Sequence, residues 1–398
     1  MITSAKKILL INCDWRDIFR ADFDELYKKM ERDRLRPDLN DFFIFSWGKE
    51  TYGAQKIKDG ISFETVHKKT RLPFFKPWFD FLSYFSVAKA LAKTAQNSGG
   101  TGFKPDAIVV YDFGFVPAAR RIAKKTGAKV VMCINNMPRL YSATRKFGGL
   151  KVIYAWFLER RFEACVDEYF TINEAMKTYL LGLGIPESKI SIFAMDTIDR
   201  DMPSIEKAKK GIIRARYHIA PKEKVLLSVA RLEAEKGYPR LLDLFATLDD
   251  SHRLLILGQG SLKGELEKQA ARLGISKRVV FAGFVGRDDI WNYYLDADCF
   301  VLLSRAEALG VVVWEAMYMG VPVLGSQAEG IIESTGADGE RGYTLADPAG
   351  DFEKEKREFQ EKLAVCLAST PERDRMLARA KKYVEGKIAN NLTLNDII

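Results

Sequence analysis

Glu307 and Glu315 have seven residues between them and bracket an apolar run that leads into Gly320-Val-Pro-Val323. A helix beginning near Gly310 puts Glu307 in the loop before its N-terminus and Glu315 inside its first turns. A helix N-terminus holds unpaired N–H groups and a partial positive charge, so it attracts a polyanion such as a diphosphate. Carboxylates beside it are poor phosphate ligands but good acceptors for sugar and ribose hydroxyls. The same spacing also fits an amphipathic helix that carries a glutamate at each end, so the neighbouring segments decide.

Upstream, Ser228-Val-Ala-Arg-Leu-Glu-Ala-Glu-Lys-Gly237 follows a strand-like run and precedes a helix beginning near Tyr238. Arg231 and Lys236 then stand in a strand-to-helix loop, where an arginine grips a diphosphate bidentately and a lysine acts as a point charge. Solvated Arg and Lys are also common in such loops. A second run, Leu254-Leu-Ile-Leu, ends in Gly258-Gln-Gly260, where glycine lets the backbone approach a ligand closely or simply makes a turn. Val280-Phe-Ala-Gly-Phe-Val285 adds a short strand whose glycine leaves room for a base or sugar to stack.

The elements that must position these residues are legible as apolar runs. Lys7–Asn12, Ala107–Tyr111, Lys129–Ile134 and Glu168–Ile172 predict the strands of a first α/β unit. Lys224–Val229, Arg253–Gly258, Val279–Ala282, Cys299–Ser304 and Val321–Ser326 predict those of a second. Runs without alternation, separated by helix-length amphipathic stretches, argue for parallel sheets covered on both faces. The polar segment Asp199–Arg214, with its proline, predicts the linker. The expected domains are 1–199, 200–382 and a tail, 383–398, that crosses back to the first. Two doubly wound, Rossmann-like domains facing across a cleft bind ligands at the C-terminal ends of their strands.

Composition bounds the alternatives. A chain of 398 residues with 47% apolar and 29% charged residues is expected to form two globular domains. No stretch approaches the roughly 20 apolar residues of a membrane span, and Met1–Ile11 has no signal-peptide pattern, so a cytoplasmic protein is expected. Cys13, Cys133, Cys165, Cys299 and Cys366 show no metal spacing and read as buried thiols, and the three histidines are scattered. No metal site is expected. The net charge of +9 is concentrated in residues 51–150, which hold 17 basic and 5 acidic residues. That excess points to an anionic partner for the first domain.

Taken in order, the segments of the second half resemble the donor-binding half of the GT-B glycosyltransferases, specifically the retaining glycosyl transferases group 1. The resemblance covers roughly residues 224–350. The family's Gly-Arg-Leu…Lys-Gly loop matches Ala230-Arg231-Leu232…Lys236-Gly237, and its Gly-x-Gly segment matches Gly258-Gln259-Gly260. Its Glu-Gly-Phe-Gly…Glu-Ala-Met…Gly-x-Pro-Val block matches Glu307-Ala308-Leu309-Gly310…Glu315-Ala316-Met317…Gly320-Val321-Pro322-Val323. The resemblance implies that Arg231 and Lys236 hold the donor diphosphate. Glu307 and the N–H groups of Ala308, Leu309 and Gly310 hold the transferred sugar and phosphate, and Glu315 accepts from the ribose hydroxyls. It also implies metal-independent binding of a nucleoside diphosphate sugar and no cofactor. Two departures stand out: Ala308-Leu309 replaces Gly-Phe, and only Gly330 and Glu333 of the Gly-Gly-x-x-Glu segment are kept. Ala308 is tolerable unless its φ is positive.

The first half is less readable. It lacks the glycine-rich turn and the mid-domain histidine usual in the family. Asp112 is a candidate on the acceptor side, or equally a helix cap, and Asn135 and Asn136 follow the next strand. Residues 71–89 pack seven aromatics between basic residues, and residues 141–161 repeat the blend. Such segments bind an anionic membrane surface, or form core with a solvated basic face. The expected activity is retaining transfer of a hexose to a lipid-linked or glycan acceptor. A hydrolase or epimerase of nucleotide sugars and a silent scaffold are the alternatives. Nucleic-acid binding is not expected, because no recognisable module accompanies the basic segments.

Overall fold

The apolar runs become the strands of two sheets. The computed structural model describes residues 7–12, 41–48, 55–58, 61–67, 105–111, 116–134, 166–192, 198–346 and 350–389. The chain divides into two compact units, with the break between Met195 and Asp196.

The first unit holds β1 (Lys7–Asn12), β2 (Asp41–Gly48), β3 (Gln55–Lys58), β4 (Ile61–His67), β5 (Ala107–Val110), β6 (Lys129–Ile134), β7 (Glu168–Thr171) and β8 (Ile190–Ile192). They form one sheet in the order β3-β4-β2-β1-β5-β6-β7-β8. Every pairing is parallel except β3 with β4. Helix α1 (Val116–Thr126) connects β5 to β6, and α2 (Glu174–Gly182) connects β7 to β8. Asn173 caps α2 by accepting from the Met176 N–H at 2.7 Å. Ile108, Val110, Val130 and Met132 pack against Val116, Ala119 and Leu180 in the core.

The second unit begins with α3 (Ile198–Lys207) and α4 (Ile212–Arg216), followed by β9 (Lys224–Val229), α5 (Tyr238–Phe245), β10 (His252–Leu257) and α6 (Lys263–Arg272). Then come β11 (Val279–Gly283), α7 (Arg287–Asp296), β12 (Cys299–Leu302), α8 (Val311–Tyr318), β13 (Val323–Ser326), α9 (Glu329–Thr335) and β14 (Tyr343–Leu345). Helices α10 (Phe352–Leu367) and α11 (Pro371–Ala389) close it. Its six strands run in the order β11-β10-β9-β12-β13-β14, all parallel. In β9 only Lys224 is not buried, which is the pattern of a central strand covered on both faces. Each fully buried leucine there, such as Leu226 or Leu227, contributes about 1.5–3 kcal/mol. The strand order reverses between β9 and β12, so the loops after these two strands open the crevice that a doubly wound sheet offers a ligand.

One expectation changes. The polar segment read as a linker folds as α3 and α4 within the second unit, because α7 supplies its polar partners. Asp296 of α7 accepts from the N–H groups of Gly211, Ile213 and Arg214 at 2.5–3.1 Å, and Ser204 donates to Asp288 at 2.6 Å. The start of the proposed tail, Tyr383–Ala389, continues α11, which packs on α8. Residues 390–398 lie outside the described residues.

Candidate functional site

Four loops meet at the C-terminal edge of the second sheet, joined backbone to backbone. The loop after β9 is tied to that after β10 by Leu232 N–H to the Gln259 carbonyl at 3.0 Å, and Leu262 N–H returns to Leu232 at 3.0 Å. It is tied to the loop after β12 by Arg305 N–H to the Glu235 carbonyl at 2.7 Å. The loop after β13 joins through Gly330 N–H to the Glu307 carbonyl at 2.9 Å.

The glycines of the motifs serve this lacing. A Cβ on Gly258, at φ 135°, would lie 1.9 Å from the Ala230 carbonyl oxygen, and one on Gly260 would lie 2.3 Å from that of Leu232. Gly258 and Gly260 therefore make room for a neighbouring loop. Gly237, at φ 71°, does the same for Leu303, whose carbonyl oxygen would be 2.0 Å away. A Cβ on Gly330 would sit 2.6 Å from the Ala308 carbonyl carbon, which explains why this glycine is kept when its neighbour is Glu329. Ala308 has no positive φ, so the replacement of glycine there carries no backbone strain.

The side chains that this frame positions are Lys236, at the end of a short turn after β9, and Glu307, just before α8. Lys236 Nζ donates to Glu307 Oε2 at 2.7 Å, and the two side chains are 14% and 16% exposed. Gly310 caps α8 in the left-handed region at φ 65°. The N–H groups of α8's first turn, at Val311 and Val312, have no acceptor within the helix. Leu309, just before this turn, is buried. Arg231 stands further out, 64% exposed, and pairs with Glu235 at 3.0 Å. A cation, a carboxylate and a helix N-terminus thus come together at the switch point, with a second cation on its rim.

Glu315 is placed differently. It is 1% exposed, and both its oxygens are engaged. Tyr294 Oη donates to Oε2 at 2.7 Å, and Arg287 Nη1 lies 2.8 Å from Oε1. Burial pushes the Glu315 carboxyl above its ordinary value, and Arg287 and Tyr294 oppose that shift. A carboxylate expected to present itself to ribose hydroxyls is here closed by two side chains of α7. Arg287 is held in turn by an ion pair from its Nε to Asp201 of α3. Neither Arg287 nor Tyr294 was marked by sequence motif. One signal existed: Arg287 occupies the first position of a helix, where a cation opposes the helix dipole.

Glu333, the kept end of the partial Gly-Gly-x-x-Glu segment, lies beside Lys387 of α11, with Nζ 3.6 Å from Oε1. Trp314 of α8 donates to Ser334 of α9 at 2.8 Å, locking those helices behind the site. Asp112, Asn135 and Asn136, and the segments 71–89 and 141–161, lie outside the described residues. Cys133, Cys299 and Cys366 are buried thiols, and Cys13 and Cys165 lie outside the described residues. Among the described residues no helix is long and apolar enough to cross a membrane, and no three His, Cys, Asp or Glu side chains converge as metal ligands.

Residues 209–383 match the family described as Glycosyl transferases group 1, and residues 58–195 match the Glycosyl transferase 4-like domain. Residues 209–383 are thus a group 1 glycosyl transferase domain. An uncharacterized glycosyltransferase of Methanocaldococcus jannaschii is 30% identical over 196 residues, covering 47% of this chain and 50% of its own. The alpha-monoglucosyldiacylglycerol synthase of Streptococcus pneumoniae is 27% identical, covering 42% of this chain and 39% of its own. The chain thus spans about half or less of the length of these curated relatives. Among solved structures, the HepE protein of Anabaena in complex with UDP and glucose aligns with a TM-score of 0.67 at 18% identity, covering 96% of this chain and 95% of that one. The fold of this chain is GT-B.

Proposed function

We propose that this protein is a retaining glycosyltransferase that moves a hexose from a nucleoside diphosphate sugar to a lipid-linked or glycan acceptor. The observation that carries the reading is the meeting of Lys236, Glu307 and the α8 N-terminus at the switch point of the second sheet. Lys236 and the N–H groups of α8 stabilise the diphosphate as charge builds on it during departure, and Arg231 adds charge from the rim. Glu307, held by Lys236, accepts from hydroxyls of the transferred sugar. Its ion pair fixes both side chains before the donor arrives, so little reorganisation remains for the reaction itself. In the retaining scheme the acceptor attacks the face from which the diphosphate leaves, and the leaving phosphate takes up the acceptor proton. No side-chain nucleophile is needed, and the cations present do the charge stabilisation that a metal would otherwise supply.

The first unit binds the acceptor in this reading, with Asp112, Asn135 and Asn136 on that side. Residues 71–89 and 141–161 bring it to an anionic membrane surface from within the cytoplasm. Support comes from the solvent face of α1, where Arg121, Lys124 and Lys125 are exposed, and from a relative whose name, alpha-monoglucosyldiacylglycerol synthase, is that of a glycolipid enzyme.

The deciding experiment is calorimetric titration of UDP, GDP and ADP, each with and without Mg²⁺, into the wild type and Arg231→Ala. Metal-independent binding of one nucleotide, weakened about tenfold or more in R231A, is expected. Absence of binding to all three would sink the transferase reading in favour of a silent scaffold. Rapid sugar release without any acceptor would favour a hydrolase.

A further inference from the structure

The cations at the ligand edge of the second sheet are not matched alike. Arg231 pairs with Glu235 inside the loop after β9, and Lys236 pairs with Glu307 of the loop after β12. Each arrives with a carboxylate that offsets its charge. Arg305, in the loop after β12, is exposed and has no acidic partner among the described residues. The other acids of the edge are placed elsewhere: Glu233 accepts from Ser261, and Glu329 stands on the β13 side of Glu307, where Gly330 joins.

The backbone of Arg305 is fixed, although its side chain is free. Its N–H donates to the Glu235 carbonyl at 2.7 Å, the Ser304 carbonyl accepts from the Ser326 hydroxyl, and the Leu303 carbonyl lies against Gly237. A guanidinium on a clamped base loses less freedom on binding than one on a mobile loop. Ala306 beside it is exposed and carries only a methyl group. A free planar fork in this place matches an oxyanion with two coplanar acceptors.

Which anion follows from position. In the reading above, the diphosphate is served by Lys236, Arg231 and the α8 N-terminus, and the second unit is the donor side. A further anion met by this loop therefore belongs to the rest of the donor. Arg305 precedes Glu307 by two residues, a span of at most about 7 Å of chain, which is the scale of a pyranose with its substituents. Glu307 accepts from hydroxyls of the transferred sugar, so Arg305 is in range of a charged group on that same sugar.

The geometry points to Arg305 as the receptor for a carboxylate on the transferred sugar: the donor is a nucleoside diphosphate hexuronate, whose carboxylate accepts two hydrogen bonds from the guanidinium while Glu307 accepts from ring hydroxyls. The proposal rests on the nucleotide-sugar reading above and narrows its hexose to the form oxidised at the sixth carbon. Lys236 offsets the charge of Glu307, so that two carboxylates share one pocket. Arg305 is then a specificity-determining residue.

The test titrates the full-length wild type, Arg305→Met and Arg305→Lys with whichever of UDP, GDP and ADP the wild type binds most tightly. The hexose and hexuronate conjugates of that nucleotide, in gluco, galacto and manno configuration, are the other probes; each pair differs only in hydroxymethyl against carboxylate. In at least one configuration the wild type is expected to bind the hexuronate about tenfold more tightly than the hexose. In R305M that ratio should fall to about one, because methionine keeps the apolar stem and has no donor. R305K, a point charge without the fork, should give a ratio in between. The ratio compares two ligands in one protein, so a general loosening of the site does not move it. Arg305 is exposed and unpaired, so both variants should fold. A wild type that binds both conjugates equally, or the hexose more tightly, in every configuration overturns the proposal and leaves the donor site standing. So does a preference retained in R305M. An R305M whose affinity for the bare nucleotide falls as far as that for the hexuronate also overturns it, by making Arg305 a diphosphate ligand. A wild type that binds none of the three nucleotides removes the donor-site reading and the proposal with it.

Discussion

Glu307 and Glu315 are the two ends of one motif and have opposite surroundings. Glu307 lies in a loop, partly open, with Lys236 as its cation and the α8 N-terminus beside it. Glu315 lies in the helix, closed to solvent, with Arg287 and Tyr294 filling the positions around it. The first glutamate costs the fold little and is free to serve a ligand. The second is part of how α7 and α8 are joined. A shared spacing thus covers one site residue and one residue that must satisfy packing before it can serve any ligand.

The contrast is sharpest in a pair of isosteric changes. Glu307→Gln should lower sugar transfer by about 10²–10³-fold, the loss typical of removing one preorganised polar group from a reacting centre. Its thermal midpoint should move by no more than about 2–4 °C, the shift that about 1 kcal/mol produces in a domain of this size. Glu315→Gln should do the reverse in unfolding by urea, losing about 1–3 kcal/mol, because an amide offers one oxygen where Tyr294 and Arg287 each donate to a separate one. Equal effects of the two changes on turnover and on stability would erase the distinction. The smallest effect belongs to Arg231, whose pair with Glu235 is exposed: R231A should change stability by less than about 0.5 kcal/mol, while its nucleotide affinity falls.

Acid sharpens the comparison from another side. Burial raises the folded-state carboxyl of Glu315, so its protonation contributes stability below the ordinary value of 4.5 and the contribution is lost as pH rises through the raised one. Asp249 behaves oppositely: hydrogen bonds from Ser251 and His252 hold its carboxyl down, from 3.8 to about 2. It therefore contributes stability above 3.8 that disappears as pH falls toward about 2. Glu223, held down by Arg253, and Asp289, held down by Arg216, act in the same sense. Melting curves across that window should show the wild type losing stability as pH falls, and Asp249→Asn should lose less. An Asp249→Asn protein as acid-sensitive as the wild type would remove Asp249 from the account.

The second unit was legible because its chemistry is local in sequence. Ala230-Arg-Leu, Gly258-Gln-Gly and Glu307…Glu315 each mark a strand end, and the matching strands run without alternation. Strands that obey other patterns were passed over. β4 interleaves Ile61 and Phe63 with Ser62 and Glu64, and β8 and β14 are three residues each, too short for a periodic signal. Asp59-Gly60, between β3 and β4, is the composition of a two-residue hairpin turn and was the missed cue. Arg287 was illegible for a different reason. Its partners Asp201 and Glu315 are distant in sequence on separate helices, and only the packing of α3, α7 and α8 brings the three together. The glycines show the converse limit: Gly258 and Gly260 were found, but whether a ligand or a loop filled their empty side depended on where Ala230 and Leu232 lay.

The joints of the frame around Lys236 and Glu307 are main chain against main chain, at Gly237, Gly258, Gly260 and Gly330. A joint without side chains has no volume to trade, so compensating substitutions cannot relax it, and its four positions should tolerate almost nothing. Room for substitution is left at the exposed side chains that stand clear of it, Arg305 and Ala306 among them. A library that randomises those positions and freezes the four glycines would search sugar preference without re-solving the fold each time.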